Sequence, residues 1–218
     1  EPSDSQEAYD MTCEAFDLSE RTGSIVFIRM TTRTSHSSSL VELGDDFAYG
    51  AREVKPYEKN IKKTVSVPAN ARVMRYEIEN RLNTLRAEAE SSVFNRIEEG
   101  DKRIGIITCA VSYQYVKEVF PEYSILKLGF TNPLPTELVR KFASMVDKVY
   151  VVEELDPVLR EAVVDAGVKV ESYTTELAMM EQNVDRLRAL RAEILGEELA
   201  PIAKPELPAL PVRPPVLC

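Results

Sequence analysis

Apolar positions follow two different periods along this chain. Ala8, Met11, Ala15 and Leu18 recur three or four residues apart, the spacing of one helix face. Ser3 followed by Gln6 reads as a box closing the helix start, and Gly23 reads as its stop. Ile25, Val26, Phe27 and Ile28 form an unbroken apolar run, which predicts a strand buried on both faces. Residues 31–39 are wholly polar. One helix and one strand cannot close a core. Residues 1–43 are therefore expected to be the last αβ unit of another α/β domain, whose earlier part lies elsewhere.

Residues 44–70 carry little periodicity and read as an extended connector, with a strand at residues 64–67. Ile78, Leu82, Leu85 and Ala89 then mark an amphipathic surface helix. From residue 101 the pattern alternates regularly. Apolar runs at 104–110, 124–128, 149–152 and 168–170 predict four strands. Between them lie stretches of about ten residues with helical spacing. Ser112 is placed to cap the first of these, Thr136 the second, and Asp156 with Pro157 the third. Gly167 closes the third. A final helix carries Val184, Leu187, Leu190 and Ile194 and stops at Gly196. Strands alternating with short helices imply a parallel sheet with right-handed crossovers. Residues 101–196 are thus expected to form a small doubly wound α/β domain. Six of the 13 prolines fall in residues 201–218, so residues 197–218 read as a semi-rigid Pro-rich linker.

Composition narrows what this fold does. The net charge of −9 argues against a nucleic-acid binder, which needs a basic face. The charge is uneven: −7 over residues 1–50, +3 over 51–103 and −5 over 104–218, which separates residues 44–100 as a connector. No stretch is apolar enough to span a membrane. Cys13, Cys109 and Cys218 are too few and too scattered for a disulfide framework, which fits a reducing cytoplasm. His36 is the single histidine, so a His-rich metal site is not built from this chain. No glycine spacing matches a phosphate loop. Glu1 stands first and Cys218 follows directly on the proline-rich run, so the chain is expected to be a segment of a longer polypeptide.

In a doubly wound sheet, ligands gather outside the carboxyl ends of the strands. Three segments occupy that place here: residues 108–113, 129–132 and 153–156. The turn before Ser112 could present backbone N–H groups to an anion, or Ser112 could simply cap a helix. Glu153, Glu154 and Asp156 could share acid–base work or a divalent cation, or be one solvated, one paired and one capping carboxylate. Arg33, Ser35 and His36 could meet an anionic group, or form a polar exit loop. Cys109 lies in an apolar strand and reads as a buried, inert thiol, and Cys13 as a packing residue on a helix.

Six segments carry a resemblance. They are Glu1-Pro2-Ser3-Asp4-Ser5-Gln6-Glu7-Ala8, Arg29-Met30-Thr31-Thr32-Arg33-Thr34-Ser35-His36-Ser37, Val67-Pro68-Ala69-Asn70-Ala71-Arg72, Gly105-Ile106-Ile107-Thr108-Cys109-Ala110-Val111-Ser112-Tyr113-Gln114-Tyr115-Val116, Leu126-Lys127-Leu128-Gly129 with Asn132-Pro133-Leu134-Pro135, and Tyr150-Val151-Val152-Glu153-Glu154-Leu155-Asp156-Pro157. In this order they resemble the large, or alpha, subunit of the indolepyruvate:ferredoxin oxidoreductases. Arg213-Pro214-Pro215-Val216-Leu217-Cys218 is similar to the lead-in of that family's C-x-G-C-P-H-R stretch.

The resemblance implies a map. Residues 1–43 would end a thiamine-diphosphate pyrimidine-binding domain, 44–100 would be a connector, 101–196 a transketolase C-terminal-like domain, and 197–218 a linker. It implies an enzyme that oxidatively decarboxylates indolepyruvate and other aryl 2-oxoacids to acyl-coenzyme A and reduces ferredoxin. Such an enzyme uses thiamine diphosphate, Mg²⁺ and [4Fe–4S] clusters, works with a smaller beta subunit as an oligomer, and belongs to anaerobic metabolism. Only Cys218 matches a cofactor-linked position, as the first Cys of a C-x-x-C and so a metal (cluster) ligand. No catalytic residue and no residue binding the organic cofactor carries over. This segment is then expected to be inactive alone and to shape interfaces. A second reading is a non-catalytic docking module of the same fold.

Overall fold

The computed structural model describes residues 1–44 and 56–199. The Pro-rich stretch from Pro201 and the candidate ligand Cys218 lie outside the described residues, as does part of the connector. The described elements run α1 (Ser5–Thr22), α2 (Thr32–His36), α3 (Ile61–Thr64), α4 (Pro68–Ser91), β1 (Arg96–Glu98), β2 (Asp101–Cys109), α5 (Ser112–Val119), β3 (Tyr123–Leu128), α6 (Thr136–Ser144), β4 (Val149–Val152), α7 (Val158–Asp165), α8 (Thr175–Ala178) and α9 (Val184–Leu195).

The sheet order is β1-β3-β2-β4. β2 is central and runs parallel to both β3 and β4, with Ile106 opposite Ile125 on one side and Tyr150 on the other. Successive residues of these strands point to opposite faces, so two cores form. Ile104, Ile106, Ile125 and Tyr150 pack with Val116 of α5 and with Leu187 and Leu190 of α9. Ile107, Leu126, Leu128 and Val151 pack with Val139 and Phe142 of α6 and with Leu159 and Val163 of α7. Helices on both faces of a central parallel unit make this a doubly wound α/β domain, as the alternating pattern implies.

Several local expectations are corrected. The sheet is mixed, because β1 pairs antiparallel with β3, Ile97 lying opposite Leu126. A three-residue strand holding one apolar side chain is too short to show a period. Residues 168–170 form no strand. The chain instead runs beside β4, held by the Glu171 N–H to the Val149 carbonyl at 2.8 Å and the Tyr173 hydroxyl to the Val151 carbonyl at 3.0 Å. Residues 25–28 also lack a strand partner among the described residues. In place of a strand at residues 64–67, Asn60 caps the single turn of α3, and Pro68 at the first position starts α4, where its fixed φ and missing N–H suit a helix. α4 therefore begins ten residues ahead of Ile78, the first position of its expected face.

The helix starts differ in the same way. α1 is capped by Asp4, whose carboxylate accepts the Glu7 N–H, and the Glu7 carboxylate in turn accepts the Ser3 N–H and hydroxyl. Gly23 and Gly196 do end α1 and α9, both in the left-handed region. Ser112, Thr136 and Asp156 cap nothing through their side chains. α6 is capped by Glu90 of α4, whose two carboxylate oxygens accept the N–H groups of Glu137 and Leu138. α7 is capped by Glu153, six residues before the first N–H it accepts. A carboxylate arriving from a distance meets the same orphan donors and the same positive helix end, but no local motif announces it.

Candidate functional site at the carboxyl edge of the sheet

At the carboxyl end of β4, Glu153 is buried, 8% exposed. Its two oxygens accept the N–H groups of Leu159 at 2.7 Å and Arg160 at 2.8 Å. Burial pushes its carboxyl up from the ordinary range, against the pull of those two N–H groups. Glu154 accepts the Gln182 N–H at 2.9 Å. Asp156 is exposed. The acidic trio is therefore split three ways and does not converge. Among the described residues, no three His, Cys, Asp or Glu side chains converge where they could hold a metal ion.

The N-terminal unit closes the same edge. Glu1 holds Arg29 with two bonds of 2.8 Å. Burial raises the Glu1 carboxyl, but the Arg29 guanidinium and the Cys109 thiol outweigh it and leave it below its ordinary value. The Cys109 thiol is pushed up by its burial and by Glu1, so it is a poor nucleophile. Arg33, at the start of α2, pairs with Glu181 at 3.3 Å. Tyr115 lies among Arg33, Glu154 and Glu181, its hydroxyl pushed up chiefly by burial. The fold thus brings Arg33 toward the Glu154 end of the acidic stretch, where its described partner is a protein carboxylate. Thr34 is buried within α2 and His36 closes that helix. Ser112 is also buried, and Cys13 is exposed on α1, not packed as its helical position suggested.

Two features were not legible as site residues. Ala110 (φ 49°), directly beyond β2, and Leu155 (φ 64°), three residues beyond β4, occupy the left-handed region, an uncommon conformation for residues other than glycine. The second is Lys127 of β3, which has no exposed surface. It shares a sheet face with Tyr123 and Ile125 and reaches both Glu7 carboxylate oxygens at 2.6 Å. Arg96 of β1 joins Glu7 at 3.2 Å and lies over the Tyr113 ring. Tyr113 and Lys117 both bond Glu98. A continuous ionic network thus ties the first turn of α1 to β3, β1 and α5. Its sequence signal is a lysine set among the apolar Ile125, Leu126 and Leu128 of β3. The interior of a protein does not accept such a charge unpaired.

The network makes acid stability testable. Burial raises the Glu7 carboxyl, yet the Lys127 ammonium and the Ser3 donors outweigh it and hold it below the ordinary value. A depressed carboxylate contributes stability above its unfolded pKa, about 4.3 for Glu, and that contribution is lost as pH falls through the folded value. The Glu7→Gln chain should therefore lose less stability than the parent between neutral and acid pH. Chemical unfolding across that range checks it, and parallel slopes for the two chains would refute it.

Beside this network, α1, residues 25–29, α4 and the loop after β3 enclose an open cleft of about 560 Å³, with Leu18, Val26, Ile28, Leu82, Leu85 and Phe130 among its walls. The Asn132–Pro133 bond in that loop is cis.

Comparisons with known proteins now bear on this geometry. No protein-family model matches the chain. The indolepyruvate oxidoreductase subunit IorA of Methanothermobacter thermautotrophicus is 36% identical to it over an alignment of 236 residues, which takes in 100% of this chain and 37% of that protein. The IorA proteins of Pyrococcus abyssi and Archaeoglobus fulgidus are 35% and 36% identical with the same two coverages. The chain is homologous to one segment of the IorA subunit. It spans little more than a third of the length of these relatives. Among solved structures, a 2-oxoglutarate:ferredoxin oxidoreductase from Magnetococcus marinus matches 59% of this chain and 24% of its own, at 20% identity and a TM-score of 0.46. The IorA alignment takes in the carboxyl-edge residues, the Lys127–Glu7 network and residues 25–28 alike. Among the described residues, no helix is long and apolar enough to cross a membrane.

Proposed function

We propose that this chain is the middle segment of the large subunit of a thiamine-diphosphate-dependent 2-oxoacid:ferredoxin oxidoreductase acting on indolepyruvate and related aryl pyruvates. The product would be an acyl-coenzyme A, and the electrons would pass through [4Fe–4S] clusters to ferredoxin. Bound in the whole enzyme, thiamine diphosphate with Mg²⁺ would supply the electron sink that such a decarboxylation requires. In this reading residues 1–43 belong to the pyrimidine-binding domain and residues 101–196 form the transketolase C-terminal-like domain. Cys218 would begin a cluster-binding pair. A smaller beta subunit, an oligomeric assembly and a cytoplasmic location belong to the same proposal.

The role of the segment itself would be to fix interfaces. The observation that carries this is the carboxyl edge, where Glu153 spends both oxygens on the protein's own N–H groups and Arg29, Arg33 and Glu154 each bond the protein's own atoms. The test is an anaerobic assay of the long polypeptide with its small partner subunit. Indolepyruvate, coenzyme A and cofactors should together drive ferredoxin reduction. Absence of reduction in a fully loaded complex would contradict the assignment.

A further inference from the structure

We propose that the basic elbow at residues 57–76 of one copy of this chain docks on the acidic, apolar-centred surface at the carboxyl end of β4 in a second copy. The proposal rests on the oligomeric part of the function given above, and it names the surfaces that part needs.

The elbow is held together by specific bonds. Asn60 caps α3 by accepting the Lys63 N–H, and the Thr64 hydroxyl donates to the Asn60 carbonyl at 2.8 Å. The Asn70 side chain reaches back from the first turn of α4 and donates to the Val65 carbonyl at 3.0 Å. Its apolar side chains nevertheless face solvent. Tyr57, Ile61, Val65, Val67, Val73 and Tyr76 are all exposed, Tyr76 by 76%. Val73 and Tyr76, three residues apart, share one face of α4. Residues 57–76 carry five Lys or Arg against the single acid Glu58, in a chain whose net charge is −9. Lys59, Lys62 and Arg72 are exposed. Apolar surface rimmed by charge marks an interaction site.

The second surface has the opposite sign. Gln182, almost wholly buried, ties two segments together. Its side chain donates to the Glu153 carbonyl at 3.2 Å and the Leu177 carbonyl at 2.8 Å, and its N–H donates to the Glu154 carboxylate. On these segments Leu155, Val158, Met179 and Met180 are each more than half exposed. Asp156, Glu176 and Glu181 stand exposed among them. Methionine side chains adapt readily to a partner's shape.

Charge chooses the occupant. Elbow against elbow sets lysines together, and edge against edge sets carboxylates together, juxtapositions that interfaces select against. Elbow against edge sets lysines on carboxylates, with an apolar centre on each side. The two surfaces do not meet within one copy, since both are exposed in the same structure. α4 is one unbroken helix whose far end is fixed where Glu90 caps α6. Its first turn therefore stands about 33 Å from that anchor and cannot fold back. Exchange in both directions closes a twofold pair with two such contacts.

Carbodiimide crosslinking tests this, because it joins a lysine amine directly to a touching carboxylate. Isotope-labelled and unlabelled long polypeptides are mixed before their complex with the small subunit assembles. Lys59, Lys62 or Lys63 should be joined to Asp156, Glu176 or Glu181 in mixed-isotope pairs. Same-isotope pairs alone would place the contact within one copy and overturn the proposal. So would elbow lysines joined only to the small subunit, or to no carboxylate of the edge. The elbow variant Val73→Asp with Tyr76→Asp, and the edge variant Met179→Asp with Met180→Asp, should each lower the yield on the order of 10-fold. All four positions are exposed, and slow amide exchange in residues 104–109 checks that the fold is kept. A labelled elbow variant mixed with an unlabelled edge variant keeps one intact contact. The recovered pairs should join an unlabelled elbow peptide to a labelled edge peptide, and the reverse combination at equal yield would overturn the proposal. No cofactor enters these readouts. Absent ferredoxin reduction with the links intact would count against the enzymatic reading and leave the interface standing.

Discussion

Replacing Lys127 by Met is expected to lower the unfolding free energy by about 3 kcal/mol, the lower end of the cost of removing one partner from a buried ion pair. Lys127 has no exposed surface, and Glu7 keeps 14% of its side chain in solvent. The lone Glu7 would retain Arg96 and Ser3, which places the cost below that of a fully orphaned charge. The double variant Lys127→Met with Glu7→Leu should recover much of the loss, because an apolar pair of similar volume replaces a desolvated one. Denaturant unfolding of the two variants and the parent forms the test. A loss under about 1 kcal/mol for the single variant would mean the pair behaves as a surface bridge. The effect should also be local. Arg29 and Glu1 should become more mobile with α1, because the network is what seats its first turn.

Gly100→Ala should cost about as much for a different reason. Gly100 precedes β2, and a Cβ there would lie 2.5 Å from the Glu122 carbonyl oxygen and 2.7 Å from the Tyr123 carbonyl carbon. Both are backbone atoms in the turn into β3, so no side chain can swing aside. Its N–H is also bonded to the Ser124 hydroxyl at 3.0 Å. Relief requires moving the start of β2 away from β3, and such overpacking costs about 3 kcal/mol. The variant should unfold at lower denaturant with an unchanged slope. A stability within about 0.5 kcal/mol of the parent would show that the turn yields freely.

The residues explain why some of this was legible. Ile104 to Cys109, Ile125 to Leu128 and Val149 to Val152 are apolar on both faces apart from Thr108 and Lys127, because helices cover both faces, so the strands themselves are legible. The two helix faces of α6 and α9 repeat at 3.6 residues for the same reason. What failed was everything that depends on a partner far along the chain. Glu90 and Glu153 displaced the local caps at Thr136 and Asp156, since any carboxylate at the right place satisfies a helix start. β1 exists only because β3 offers it an edge. Residues 168–170 lie along β4 without completing a ladder. The same argument applies to the site. Arg33 reads from the sequence as a residue for an anion, and its described ion-pair partner is Glu181. The buried Lys127 stays hidden in the sequence because the residues around it have the pattern of a core strand. Both outcomes follow from α1 seating Glu7 on β3 and from α2 meeting the stretch between α8 and α9, which no local pattern encodes.

If the polar groups of the carboxyl edge serve the chain's own contacts, as proposed, these 218 residues hold no site for the organic cofactor. A calorimetric titration of thiamine diphosphate with Mg²⁺ into the 218-residue chain tests it most directly. The expected result is no saturable heat in the micromolar range. One-to-one binding of micromolar affinity would contradict it, because it would require an open cofactor site within this segment.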